Sequence, residues 1–162
     1  MNNYIVVGHY HGKSVWSKFI RLRSWWQSPI THTAILTKDL RFVYEAWGKA
    51  GCSVDLWTSS HHKPRTKVEL FIILCTEEQE KGVYDYLERT VGCGYDWVGV
   101  ILGFLTRKEK QDKDRRFCTE WVEEALRSQK LCLQERIPVY KMSPSLGYIS
   151  PNQKYLCTIH TP

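Results

Sequence analysis

Short apolar segments, rich in β-branched and aromatic residues, recur along the chain and predict strands. The second and third of these segments are separated by Lys38 and Asp39, which predicts a hairpin closed by a two-residue turn. The connection after the hairpin contains Gly48, Gly51 and Pro64 and is expected to be irregular. The predicted strands span residues 4–7, 30–37, 40–47, 68–75 and 155–159.

Apolar residues spaced three or four apart predict helices between these strands, the first of them at residues 13–26. Thr76 and Gln79 form a capping-box sequence, which predicts a helix that runs to about Val91 and ends at Gly92. The remaining helical segments span residues 95–105 and 118–130, separated by a polar loop at 107–116 and followed by an extended tail that contains prolines.

Strands and helices are grouped along the chain, which indicates an α+β fold rather than a doubly wound sheet. The 162 residues, 43% hydrophobic and 25% charged, are typical of one globular domain spanning residues 1–162. No apolar run approaches the roughly 18 residues that span a bilayer, so no transmembrane segment is expected. The first residues also lack the basic and apolar regions of a signal peptide. The expected location is therefore the cytoplasm, or the host cytoplasm if this is a phage protein.

The formal net charge of +6 favours acidic partners, and basic residues at 13–23 would form a patch on a helix. A nucleic-acid binder is therefore one alternative function. Acidic residues in the 107–116 loop dilute the positive charge, and no nucleic-acid motif is evident. Nucleic acid is accordingly not an expected partner, and the oligomeric state is left open.

Cys118 is the strongest candidate nucleophile among six cysteines, which are expected to be mostly free thiols. It stands where the helix predicted at residues 118–130 should begin, and a helix N-terminus lowers the pKa of a thiol. Arg115 and Arg116 lie just before it, separated from it by Phe117, and would favour the thiolate further. Backbone N–H groups at the same helix start would stabilise an oxyanion. Cys93, between two glycines, is the best rival.

His32 is the histidine that lies inside a predicted strand with apolar neighbours, and it would serve as the base for the thiol. If the hairpin closes symmetrically around Lys38 and Asp39, His32 stands directly opposite Glu45 on the same face of the sheet. The carboxylate would then bond one imidazole nitrogen and leave the other for the thiol. Non-catalytic roles remain open for both residues, since a strand histidine is often a packing residue and Glu45 would equally serve as an edge charge.

Four motifs resemble the circularly permuted NlpC-like (YiiX-like or YebB-like) branch of the papain-like cysteine hydrolases. In this branch, which is distantly related to lecithin:retinol acyltransferase, the histidine strand precedes the cysteine helix. The order and spacing of the motifs carry the resemblance over residues 5–130. They are Ser28-Pro-Ile-Thr-His32-Thr-Ala-Ile, Val43-Tyr-Glu45-Ala-Trp, Gly94-Tyr-Asp-Trp97 and Phe117-Cys118-Thr-Glu-Trp-Val122.

The resemblance implies a small antiparallel, barrel-like sheet packed against the cysteine helix. It also implies amide or ester hydrolysis through an acyl-enzyme intermediate, with Cys118 as nucleophile, His32 as base and Glu45 as the third member. The expected substrate is a peptide, another amide or an acyl lipid, and no cofactor is expected. Substrate-binding candidates are Trp47, Tyr95 and Tyr155. The resemblance also implies a tyrosine near the thiol, for which Tyr155 and Tyr148 in the tail are the candidates.

Two further alternatives follow from the residues. A zinc site is disfavoured because the chain has no Cys-x-x-Cys pair and because the adjacent His61 and His62 are poorly spaced as ligands. No metal site is therefore expected. A binding module without catalysis would use the same fold to hold an acyl or peptide ligand in an aromatic groove.

Overall fold

The apolar segments of the chain form the strands of an antiparallel sheet. The computed structural model describes residues 3–12, 29–59, 61–97 and 114–162. The strands are β1 Asn3–Tyr10, β2 His32–Leu36, β3 Phe42–Trp47, β4 Gly51–Leu56, β5 Lys67–Cys75, β6 Gly94–Tyr95, β7 Arg115–Arg116 and β8 Lys154–His160. Six of them form the large sheet, in the order β4-β3-β2-β1-β5-β8, and every pair in it is antiparallel. A second, two-stranded parallel sheet pairs β6 with β7.

Three α-helices accompany the sheet in the described residues: α1 Glu77–Thr90, α2 Cys118–Arg127 and α3 Pro144–Tyr148. The capping box at the start of α1 is confirmed, because Thr76 accepts a hydrogen bond from the backbone of Gln79 and the Gln79 side chain accepts one from Thr76. The start predicted for α2 is also correct, but this helix ends at Arg127, three residues earlier than expected. Helix α3 lies in the tail that was expected to be extended.

Side chains alternate between the two faces along each strand, and the central strands of the large sheet are buried on both faces. On one face Ile5, Ile35 and Ile73 pack with α1 and α2, whose largest buried side chain is Trp121. On the other face Val6, Ala34, Leu36, Val43, Val68 and Leu70 form a second cluster with Tyr10 and Trp57. His32 and Glu45 alternate with the first cluster and therefore belong to the face of the second.

The hairpin of β2 and β3 differs from the expected one in its turn. Ile35 pairs with Tyr44 and Leu36 with Val43, so the strands are offset by two residues from the symmetric arrangement. The connection is a four-residue loop at residues 38–41, closed by the backbone hydrogen bond from Thr37 to Phe42 and containing Leu40 at a φ of 55°. The prediction of a two-residue turn at Lys38 and Asp39 was wrong. The Thr37 hydroxyl and the Asp39 carboxylate accept hydrogen bonds from the loop backbone and stabilise a longer turn.

Strand β4 is a second correction, since the stretch after Trp47 was expected to be irregular. It pairs with the whole of β3, from Phe42 opposite Leu56 to Trp47 opposite Gly51. Gly51 permits the strand to begin, because its φ is 70° and a Cβ there would lie 2.2 Å from the carbonyl oxygen of Cys93. Strand β4 was not predicted because its residues are mostly small or polar and show no alternation of apolar and polar positions.

Of the segments predicted at residues 13–26 and 95–116, the structure describes only part of the second. Tyr95 was expected to begin a helix but belongs to β6, and the end of the expected polar loop forms β7. The helix expected at 13–26 and most of the segments at 95–105 and 107–116 lie outside the described residues. Within the described ranges, no helix has the length and apolar character needed to cross a bilayer.

Candidate active site

The first residue of a strand and the first residue of a helix lie side by side at the candidate site. His32 is the first residue of β2 and Cys118 is the first residue of α2, and α2 packs against β2 and β3. The Cys118 thiol hydrogen-bonds to the His32 ring and to the backbone of Thr33, the next residue on the strand. Both side chains are buried, with Cys118 3% and His32 5% exposed. The fold therefore brings together the thiol and the imidazole that the sequence analysis paired.

Glu45 completes a continuous hydrogen-bonded series with these two residues. Nε2 of His32 donates to Oε2 of Glu45 across 2.9 Å, and Glu45 is fully buried. Because Nε2 is engaged by the carboxylate, Nδ1 is the ring nitrogen that remains for the thiol. The expected contact is thus present although the expected register is not. Continuing the observed register would set His32 level with Trp47, and a two-residue offset keeps Glu45 on the same face and within diagonal reach.

The electrostatics of this series favour an ion pair between thiolate and imidazolium. Burial raises the pKa of Cys118, but the charge of His32 and hydrogen bonds from His32 and Thr33 outweigh it, so the pKa is lowered. Burial lowers the pKa of His32, but the Cys118 thiolate and the Glu45 carboxylate outweigh it, so this pKa is raised. Burial likewise raises the pKa of Glu45, but its hydrogen bonds to two histidines bring it well below its usual value.

Arg116, the nearer of the two arginines before the helix, has partners other than the Cys118 thiol. The Arg116 guanidinium bonds to Glu124 and donates to the Cys93 sulfur across 3.2 Å. The charge that lowers the pKa of Cys118 comes instead from His32. The rival thiol Cys93 therefore has an arginine as its cationic neighbour, whereas the cationic neighbour of Cys118 is a histidine that can also accept a proton.

The start of α2 is built to leave backbone donors near the thiol. Phe117 occupies the N-cap position, and its side chain has no acceptor for the N–H groups of the first turn. Glu120 accepts the N–H of Phe117 itself across 3.2 Å. The first N–H groups of α2, with the positive end of the helix dipole, are thus suited to an anionic oxygen formed beside Cys118.

His62 is a site residue that sequence analysis passed over. Its Nε2 lies 3.0 Å from the same Glu45 oxygen that accepts from His32, and its side chain is 3% exposed. The ring stacks on Tyr10 with centroids 4.0 Å apart. Burial lowers the pKa of His62, and the hydrogen bond to Glu45 only partly offsets this. The residue was missed because it follows an irregular, polar segment and only tertiary structure brings it to Glu45.

The three substrate-binding candidates lie in different places. The Trp47 ring is 5.3 Å from His32 and stacks on His61, so it borders the site. Tyr95 packs with Phe117 and Cys118. Tyr155 is 59% exposed on β8, three strands from β2, and its side chain contacts Phe71 and Thr158.

Tyr148, the other tyrosine considered for the thiol, packs edge-on against His9 and Phe71. Its pKa is raised to about 12, first by a hydrogen bond to Glu69 and then by burial. Its contacts thus lie with β1 and β5, whereas Cys118 lies against β2.

Comparison with known proteins supplies the fold. No protein-family model matches the chain, and no curated protein matches it. The structure is similar to the crystal structure of metalloprotein yiiX from Escherichia coli O157:H7, with a TM-score of 0.71 and 16% sequence identity. The match covers 96% of this chain and 96% of that chain. The α+β fold expected from the sequence, an antiparallel sheet packed against helices, is therefore confirmed, and it is compatible with a papain-like architecture.

Proposed function

We propose that this chain is a cysteine-dependent hydrolase of amide or ester bonds, with Cys118 as nucleophile, His32 as base and Glu45 as the carboxylate that orients the base. The observation that supports the proposal is the buried hydrogen-bonded series from the Cys118 thiol through His32 to Glu45. A nucleophile, a base and an orienting group in contact are the components of covalent acyl transfer.

The reaction begins with the Cys118 proton held on Nδ1 of His32 and the thiolate adjacent to the substrate carbonyl. The thiolate attacks the carbonyl carbon, and the negative oxygen is stabilised by the N–H groups at the start of α2. His32 gives its proton to the departing amine or alcohol, which leaves a thioester on Cys118. Water then loses a proton to His32, attacks the thioester and releases the acid and the thiol.

The walls of the site suit a substrate with an apolar portion. Trp97 is 36% exposed, and its Nε1 donates to the carbonyl oxygen of Gly48 across 2.9 Å. Its ring lies 4.9 Å from that of Tyr95, which packs against Cys118. Together with Trp47, these rings offer an aromatic surface for an acyl chain or an apolar peptide side chain. A peptide, another amide or an acyl lipid is the proposed substrate class.

The similar structure from Escherichia coli is titled a metalloprotein, which raises the question of whether this site suits a metal. His32, Glu45 and His62 bring two imidazole nitrogens and a carboxylate oxygen together. Among the described residues, the second oxygen of Glu45 is buried without a hydrogen-bond partner. This donor set fits Zn²⁺ or a similar ion, which would supply a Lewis acid there. The thiol reaction described above does not depend on it.

The proposal is tested first by thiol reactivity. Iodoacetamide followed by mass spectrometry should label Cys118 faster than the other cysteines, with a pH midpoint well below about 8.5. Cys93→Ser is the matched control and should leave the Cys118 rate unchanged. His32→Ala should raise the midpoint of Cys118 towards that of an ordinary thiol. Uniform slow labelling of all the cysteines would contradict the proposal and would favour a binding module on the same fold.

Hydrolysis is tested with a panel of acyl and peptidyl activity-based probes, followed by matching substrates. On a substrate that the wild type cleaves, Cys118→Ala should reduce turnover by at least about 1,000-fold. His32→Ala should reduce it by roughly 100- to 10,000-fold, the usual contribution of general acid–base catalysis. Unchanged turnover in Cys118→Ala would exclude Cys118 as the nucleophile.

A further inference from the structure

Glu45 holds two histidines, and the thiol reaction uses one of them. His62 reaches the carboxylate from the segment between β4 and β5, and its Nε2 lies 3.0 Å from Oε2. Tyr10 stacks on one face of its ring, and Trp47 lies edge-on 4.9 Å away. The ring is therefore fixed in a buried position that the proposed thiol chemistry does not explain.

The three side chains present their donor atoms to one point. Nε2 of His32, Nε2 of His62 and a carboxylate oxygen of Glu45 all lie within 4.8 Å of one another. The two nitrogens are 2.9 and 3.0 Å from Oε2. Around a tetrahedral Zn²⁺ with bonds of about 2.0–2.1 Å, donor atoms are roughly 3.3 Å apart. To become a coordination site, the cluster would need its two N–O distances to lengthen by a few tenths of an ångström and its two nitrogens, which lie within 4.8 Å of each other, to take up the same spacing.

Two buried polar atoms of the pocket have no hydrogen-bond partner among the described residues. Among the described residues, Oε1 of Glu45 and the hydroxyl of Tyr10 are the buried side-chain atoms with no hydrogen-bond partner. A buried carboxylate oxygen without a partner is costly, and a cation bound to the carboxylate would compensate it. Two imidazoles and one carboxylate are also the protein ligands of many zinc sites that keep a fourth position open.

We propose that His32, Glu45 and His62 bind one divalent transition-metal ion, with Zn²⁺ as the reference ion, and that metal binding and thiol catalysis exclude each other at this site. Each imidazole coordinates as a neutral ligand through the lone pair of Nε2: imidazolium His32 releases its Nε2 proton to solvent, and neutral His62 exchanges its Nε2 proton for one on Nδ1. His32 then keeps its remaining proton on Nδ1, facing Cys118. It has no lone pair to accept the thiol proton, so the metal-bound form lacks its base. The exclusion rests on the proposed hydrolase function, whereas the metal site does not.

Metal binding is measured in the Cys118→Ala variant, so that neither the Cys118 thiolate nor turnover contributes. Chelator-treated protein is titrated with Zn²⁺ in competition with a chromophoric chelator, and with Co²⁺ for its visible absorption bands. We expect one ion per chain and no sulfur-to-cobalt charge-transfer band. His62→Asn, and separately His62→Gln, should weaken Zn²⁺ binding by at least about 100-fold, with folding checked by circular dichroism.

His61→Asn is the matched control, because the neighbouring His61 stacks on Trp47 and has its Nε2 3.5 Å from Asp55. Glu45, Asp55 and His61 form a second group of donors, so this variant distinguishes the two sites. Zn²⁺ binding should survive in His61→Asn. Three results would overturn the metal site: no stoichiometric binding in the Cys118→Ala protein, equal loss in His61→Asn and His62→Asn, or full binding in both His62 variants.

The exclusion is tested in the chain that retains Cys118. Zn²⁺ should slow iodoacetamide labelling of Cys118, a chelator should reverse this, and His62→Asn should require at least about 100-fold more Zn²⁺ for the same slowing. Equal sensitivity of wild type and His62→Asn would show that Zn²⁺ acts on the thiol directly and would overturn the exclusion. Failure of Cys118 to hydrolyse any substrate would leave the binding result in Cys118→Ala intact, so the two proposals fail separately.

Discussion

One carboxylate oxygen of Glu45 accepts hydrogen bonds from two imidazoles, and the charge of the carboxylate favours the protonated form of both rings. The carboxylate lowers the cost of a positive charge on His32, which in turn favours the thiolate at Cys118. It is buried on the sheet face that also carries Val43, so water does not screen this effect. The properties of the thiol therefore depend on a residue that the thiol does not touch.

Replacing Glu45 with Gln should show this dependence. The amide is nearly isosteric but uncharged, so the pKa of His32 should fall and the thiolate at Cys118 should become less favourable. A charge-assisted hydrogen bond contributes about 1.5–3 kcal/mol, so labelling at pH 7 and turnover should fall by about 10- to 100-fold. The pH midpoint of Cys118 labelling should rise.

Glu69→Gln is the control for this change, since Glu69 is also buried and histidine-bonded, but to His11 on another part of the sheet. It should leave the labelling midpoint of Cys118 unchanged. The same midpoint in Glu45→Gln and wild type would remove Glu45 from the proposed triad.

At the scale of elements, the hairpin shows what a sequence pattern can and cannot determine. The alternation of apolar residues predicted which side chains share a face, and His32 does contact Glu45. The turn was wrong because the Thr37 hydroxyl bonds the loop backbone in ways that residue preferences do not reveal. The predicted contact between His32 and Glu45 is nevertheless correct. An error of two residues in the strand register leaves both side chains on the same face of the sheet, whereas an error of one residue would have placed them on opposite faces.

The capping box of α1 is an element-scale feature with a measurable contribution. Thr76 accepts the Gln79 N–H across 3.1 Å and has no role in the site. Thr76→Ala should lower the free energy of unfolding by about 1 kcal/mol, because one N–H of the first turn loses its acceptor. Urea denaturation measures this, and Thr58→Ala, at an exposed position outside any cap, should change stability by less than about 0.5 kcal/mol. Equal effects of the two substitutions would contradict the capping assignment.

At the scale of the whole molecule, local patterns predicted the class of fold but not its long-range contacts. The α+β class and the start of α2 followed from periodicity and helix-start signals. The approach of His62 to Glu45 did not, because the segment that carries His62 has no periodicity and because residue spacing was judged along the chain alone. A donor set assembled from β2, β3 and a connecting segment is visible only once the sheet has formed.

His9 links distant parts of the chain through a buried, uncharged imidazole. Its Nδ1 lies 3.2 Å from the Thr33 hydroxyl on β2, and its Nε2 lies 3.1 Å from Oε1 of Gln153, which precedes β8. Burial lowers the pKa of His9 to about 4, although the Gln153 hydrogen bond and the charge of Glu69 act in the opposite direction. The folded chain therefore resists a proton that the unfolded chain accepts near pH 6.5.

This difference predicts that stability falls on acidification before the carboxylates titrate fully. Between about pH 6.5 and pH 4 the unfolded chain binds the His9 proton and the folded chain does not, so the free energy of unfolding rises with pH in that window. A depression of this size corresponds to at most roughly 3 kcal/mol, lost as the pH falls from 6.5 to 4. Urea denaturation across this range should therefore give a shallower pH dependence in His9→Gln than in wild type, whatever the absolute stability of the variant. His160→Gln removes an exposed histidine of β8 and should keep the wild-type dependence. If His9→Gln and His160→Gln had the same dependence, the acid sensitivity would have to come from other groups.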